Sequence, residues 1–145
     1  MCAIAGFYHP QKDYRKEKSY YEEILKKMSA VQRHRGPDDS GFQLLEHGGF
    51  SHARLSVIDL TTGDQPMKRV RDGKTFWIVY NGETYNTKEL RRDLTERGRH
   101  FSTTSDTEVL LAGYMEYGPD FIKTVNGIFS LAIMDPFRKC LLLFR

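Results

Sequence analysis

Cys2 stands directly behind the initiator Met1, so loss of Met1 puts a thiol and a free α-amine on one residue. A thiol of pKa ~8.5 is a few per cent thiolate at neutral pH, and an α-amine of ~7.7–8.0 can take its proton without a histidine. Threonine with its own N-terminal amine is a known form of this pairing. The chemistry on offer is attack on a carbonyl carbon. The competing assignment is structural: free cysteine is among the most buried residue types, and Cys2 opens an apolar run. Position alone favours that second assignment.

A thiolate attacking an amide needs donors aimed at the developing oxyanion, and a side-chain amide beside a glycine N–H supplies two in a small space. Asn81-Gly82 offers both. The same dipeptide behind a hydrophobic strand is also the strongest short-range signal for a type I′ hairpin turn. Here the stretch Tyr80 to Asn86 leads into helix-start residues instead of an alternating return strand, which lowers the hairpin reading and leaves both open. An amino-acid head group would need a cation and an anion. Arg54 could hold a carboxylate with both arms of its fork, or sit on the outer face of a half-buried strand. Asp106 could face an ammonium, or simply complement the dipole of the helix it opens. Glu83 reads equally as a pocket residue and as a surface acid. The histidines His9, His34, His47, His52 and His100 show no H-x-x-x-H spacing and the cysteines no paired spacing, so no metal site is expected.

These residues must be positioned by a chain of 145 residues with 39% hydrophobic content, enough for a single domain with a sizeable core. The net charge of +3 is spread along the chain apart from a loose cluster at Arg91, Arg92, Arg97 and Arg99, which reads as a solvated surface and not a nucleic-acid footprint. The only cysteines are Cys2 and Cys140, and a nucleophilic thiol must stay reduced, so a cytoplasmic setting is expected. No signal or membrane segment is expected, because the run Cys2 to Phe7 is too short and has no basic residues before it.

Periodicity predicts a strand over Ala3 to Tyr8. A helix follows from a capping box at Ser19-Tyr-Tyr-Glu22, with Tyr21, Ile24, Leu25, Met28 and Val31 on one face. Arg33 to Gly41 reads as a loop, and strands Phe42 to Leu45 and Phe50 to Ile58 as a hairpin around His47-Gly48-Gly49. Thr61 to Pro66 reads as a turn and Thr75 to Tyr80 as a strong strand. Asn86 and Ser105 are expected to cap two helices ending at Gly98 and Gly118. Strands over Gly127 to Met134 and Cys140 to Phe144 close the series across Asp135-Pro136. Strands joined by short turns, with helices grouped between them, predict an α+β fold with antiparallel sheets.

In order along the chain stand Met-Cys-Ala-Ile-Ala-Gly-Phe at the start, Arg35-Gly-Pro-Asp38, His52-Ala-Arg-Leu-Ser-Val-Ile-Asp59, Gln65-Pro-Met67, Tyr80-Asn-Gly-Glu-Thr-Tyr-Asn86 and Thr104-Ser-Asp-Thr-Glu-Val109. Each is weak alone. Together they resemble the glutaminase domain of the glutamine-hydrolysing asparagine synthetases, over nearly the whole chain. The resemblance implies a class II glutamine amidotransferase with an N-terminal-nucleophile hydrolase-type four-layer αββα sandwich. It implies that Cys2 forms a glutamyl thioester with its own amine as base, that the Asn81 amide and Gly82 N–H make the oxyanion hole, and that Arg54 holds the glutamine carboxylate and Asp106 its ammonium. The backbone of Leu55, Ser56, Val57 and Ile58, with Glu83, would hold the rest of L-glutamine. The ammonia released would serve a synthetase domain, in cis or in trans, and ATP and magnesium would act only there, so residues 1–145 carry no cofactor. Arg145 falls within an apolar strand where the family continues, so the sandwich is expected to lack its last strands. Homo-oligomerisation is compatible with this reading. A non-catalytic glutamine-binding or partner-binding module of the same fold is the alternative.

Overall fold

The computed structural model describes residues 2–55 and 63–145. The end of the predicted strand at Ile58 and the start of the predicted turn at Thr61 lie outside them.

Among the described residues, seven strands form two antiparallel sheets. In the first, β3 (Gly48–Arg54) is central between β1 (Ala3–Tyr8) and β2 (Asp39–Leu45). Ala3 pairs with Ala53 and Ser40 with Ala53 on the other side, so every residue of β3 is buried. The second sheet runs β4 (Met67–Arg71), β5 (Lys74–Thr84), β6 (Gly127–Asp135), β7 (Cys140–Phe144).

Side-chain alternation sorts these sheets into layers. Leu25 of α1 (Lys18–Val31) packs with Leu44, Phe7 and Tyr14 on the outer face of the first sheet. Phe50, Val79 and Ala132, with Ile4 and Trp77, fill the space between the sheets. Phe76, Ile78, Tyr80, Leu131 and Ile133 point the other way, onto Leu110, Leu111 and Tyr114 of α3 (Asp106–Tyr117). Leu94 of α2 (Thr87–Glu96) packs on Val109 and Ala112 of α3. Helix, sheet, sheet and helices make the expected four-layer α+β sandwich.

Several local expectations change. Helix α1 begins at Lys18 after a 3₁₀ turn over Tyr14–Glu17, and Ser19 does not cap it. Asp13 caps the preceding turn instead, accepting a bond from Arg15 N at 3.0 Å. Val31 is 73% exposed and lies off the core face. Strand β2 starts at Asp39, inside the predicted loop, because pairing with β3 continues to Asp39↔Arg54. Strand β4 was not anticipated, although Asp72-Gly73 carries its signal: both residues have positive φ, as a two-residue hairpin requires. Asn81-Gly82 is not a turn. It lies within β5, paired with Ser130 and Phe129, and β5 runs on to Thr84. Helix α2 follows Asn86, but the Asn86 side chain bonds Thr124 O and Asn126 N and does not cap the helix.

Candidate active site

The sheets open at one end into a cleft of about 210 Å³ lined by Cys2, Arg54, Leu55, Gly63, Gln65, Tyr80, Gly82, Glu83, Tyr85, Asp106 and Thr107, among others. Three strand ends and one helix start converge there. Cys2 immediately precedes β1, Arg54 ends β3, Gly82 and Glu83 lie near the end of β5, and Asp106 opens α3.

The Cys2 thiol is half-buried and tethered to the neighbouring chain. Leu55 N–H donates to Sγ at 3.3 Å, and Sγ lies 3.5 Å from Leu55 O. Arg54 is 7% exposed, with Nη1 donating to the Asp64 carboxylate at 2.6 Å. The carboxylate is on the solvent side, 72% exposed, so the guanidinium is the fixed member of the pair. A placement on the outer face of β3 is therefore wrong: Arg54 shares the inward face with Phe50 and His52.

Asp106 is held in the cleft wall, its Oδ2 accepting from Tyr80 OH at 3.0 Å and Thr84 N–H at 3.3 Å. Burial pushes its carboxyl above the ordinary carboxylate range, with the bonds from Tyr80 and the backbone opposing that shift. A dipole partner on a solvated first turn would not need such bonds. The helix start is itself well anchored. Ser105 Oγ caps it through Thr107 N–H at 3.1 Å, and Arg91 donates to Thr103 O at 3.0 Å and Ser105 O at 3.1 Å. Glu108, in the first turn of α3, gathers the preceding loop. Its carboxylate accepts from Ser102 N–H, Thr103 N–H and Thr103 Oγ1, and pairs with Arg69 at 3.1 Å.

Gly82 is demanded by packing, since a Cβ there would stand 2.4 Å from Ile128 O and 2.6 Å from Phe129 Cα. Asn81 adjoins the cleft-lining Gly82 on the inter-sheet face of β5 without itself being among the lining residues, and its Oδ1 is buried without a hydrogen-bond partner. Glu83 lines the cleft from an exposed position. Ser56, Val57 and Ile58 lie outside the described residues, as does Met1.

Three contributors had no assigned role in the sequence. Tyr80 holds Asp106, and burial and the Asp106 charge push its phenol upward, so it stays a neutral donor. Gln65 accepts from Tyr80 N–H at 2.6 Å and donates to Thr107 Oγ1 at 3.2 Å, tying β5 to α3. Thr84 Oγ1 lies 3.0 Å from Tyr80 OH. The available signal was Tyr80, a hydroxyl on the helix-facing side of an otherwise apolar strand.

Comparison with known proteins adds four findings. The sequence profile of the family described as Glutamine amidotransferase domain matches residues 1–145. The chain is 42% identical over 141 residues to asparagine synthetase [glutamine-hydrolyzing] 3 of Bacillus subtilis, covering 97% of this chain and 22% of that protein. It is 36% identical over 148 residues to asparagine synthetase B [glutamine-hydrolyzing] of Escherichia coli, covering 100% of this chain and 25% of that protein. The chain thus spans a fifth to a quarter of the length of these relatives. Among solved structures it is similar to glutamine phosphoribosylpyrophosphate amidotransferase of B. subtilis, with TM-score 0.52 and 25% identity over 63% of this chain and 22% of that one. With the profile spanning every residue and the layered sandwich in agreement, the chain belongs to the glutamine amidotransferase domain family.

Proposed function

We propose that this chain hydrolyses L-glutamine to L-glutamate and ammonia through a thioester on Cys2. The observation that carries the reading is the convergence of a thiol, a buried guanidinium and a buried carboxyl on one small cleft. Arg54 receives the α-carboxylate, displacing the exposed Asp64 carboxylate, and Asp106 receives the α-ammonium. The side-chain carboxamide then reaches toward Cys2 Sγ.

The Cys2 α-amine takes the thiol proton as sulfur bonds to the carboxamide carbon. The carbonyl pair moves onto oxygen, where the Gly82 N–H and the Asn81 amide stabilise the charge. The tetrahedral species collapses with cleavage of the C–N bond, and the same ammonium gives its proton to the departing nitrogen, which leaves as ammonia. Water, deprotonated by the amine, attacks the thioester and restores the thiol as glutamate leaves. These steps use no cofactor. A synthetase portion, in cis or in trans, consumes the ammonia, and the likeness to asparagine synthetases supports that partner, with ATP and magnesium acting there.

Glutamate release by the purified chain tests the assignment, with Cys2→Ala as control. Glutamine-dependent release that vanishes in Cys2→Ala is expected. Binding of glutamine without release, and no labelling of Cys2 by a glutamine-analogue electrophile, would establish the non-catalytic module instead.

A further inference from the structure

Three tiers stack between the sheets toward the cleft. Phe50 and Val79 form an apolar tier, with Ile4 packed against it. Four residues further along β3 and β5, Arg54 and Glu83 line the cleft or its rim together with Cys2, with His52 and Asn81 at the positions between. His52 is 1% exposed and stands opposite Ile4 in β1.

This middle tier is polar and unsatisfied. Neither His52 ring nitrogen has a hydrogen-bond partner, and neither has Asn81 Oδ1, although all three atoms are buried. Buried polar groups in folded proteins are paired with one another or with enclosed water. A histidine N–H and an amide oxygen are complementary, and an amide whose oxygen is held inward presents its NH₂ outward.

We propose that His52 is a positioning residue which donates a hydrogen bond to Asn81 Oδ1, directly or through one enclosed water, and so turns the Asn81 Nδ2–H toward the carboxamide oxygen at Cys2, a role that rests on the glutamine-hydrolysing assignment above. The ring remains neutral, with one donor nitrogen. Burial holds its pKa down at about 4, against the pull of the nearby Tyr80 backbone, with the Arg54 charge adding to the lowering and Asp39 opposing it. His52 touches no substrate in this scheme and acts only through Asn81.

The test is a double-mutant cycle on the whole chain, reading kcat and KM for glutamine. Asn81→Ala should lower kcat by ~10²–10³-fold, as for other oxyanion donors. His52→Leu should lower kcat at least ~10-fold with KM nearly unchanged, His52→Gln should recover most of the loss because it keeps an N–H donor, and His52→Leu should cost nothing further in the Asn81→Ala background. An undiminished kcat in His52→Leu, a loss of equal size in both backgrounds, or a loss confined to KM overturns the positioning role while leaving the hydrolytic assignment standing. Full turnover in Cys2→Ala or Asn81→Ala would overturn the hydrolytic assignment and the positioning role together. If circular dichroism shows His52→Leu unfolded, His52→Phe carries the same cycle under the same criteria.

Discussion

The thiol, the guanidinium and the carboxyl each leave a separate signature in kinetics. Cys2→Ala should abolish glutamate release while the midpoint of urea unfolding stays nearly constant, because Cys2 lies just outside β1 and only a half-buried thiol is lost. Turnover in that variant would remove the nucleophile. On the proposed assignment Asp106 binds an ammonium, which it can do only when charged, and burial raises its carboxyl above the usual range. KM for glutamine should therefore rise as pH falls through that raised pKa, at a pH higher than an ordinary carboxylate would give. Asp106→Asn should raise KM throughout and flatten this acid limb; a limb that survives in the variant belongs to another group. On the proposed assignment Asp64 would compete with the substrate carboxylate for Arg54, but as an exposed partner it contributes at most ~1 kcal/mol. Asp64→Asn should lower KM by up to ~5-fold, and a higher KM would mean that Asp64 helps to orient Arg54 instead.

At the scale of elements, the site depends on strand β5 lying close against β6. Gly82→Ala should cost ~1–3 kcal/mol in urea unfolding, since the methyl meets Ile128 O and the Phe129 backbone and must force the strands apart. An unchanged midpoint would contradict that close approach. The layered class, the helices begun near Asn86 and Ser105, and the final strands were all legible in periodicity and punctuation. What was not legible depended on partners distant in sequence. Asn81-Gly82 carries turn chemistry locally, yet Ser130 and Phe129 pair with it and keep it in a strand. Asp39 to Gly41 is polar and glycine-containing, and only the register with Ala53 and Arg54 makes it part of β2. Asp72-Gly73 was readable as a hairpin turn and marks β4, but the basic, weakly alternating Met67–Arg71 obscured the strand itself. Arg54 and Asp106 were identified as site candidates by type. The burial of Arg54 follows only from the pairing and stacking of the two sheets, and that of Asp106, with the Tyr80 and Gln65 bonds around it, only from the packing of β5 against α3.

Across the whole molecule, the polar tier between the sheets couples stability to pH. His52 takes up a proton near pH 6.5 when unfolded but only near pH 4 when folded, because burial disfavours the charged ring. The folded state is therefore favoured above pH 6.5, and this advantage is lost as pH falls from 6.5 to about 4, amounting to ~3 kcal/mol by linkage. Urea unfolding between pH 7 and pH 4 should show this loss and His52→Gln should lack it; equal slopes in the two proteins would place the titration elsewhere. The sandwich thus brings a thiol, a guanidinium and a carboxyl with their supporting bonds to one end of the fold. The account stands or falls on the covalent step. Intact-mass spectrometry of samples acid-quenched during glutamine turnover should show a chain lacking Met1 and carrying one glutamyl group on Cys2. A chain that turns over glutamine while keeping Met1, with Cys2 never modified, would contradict it.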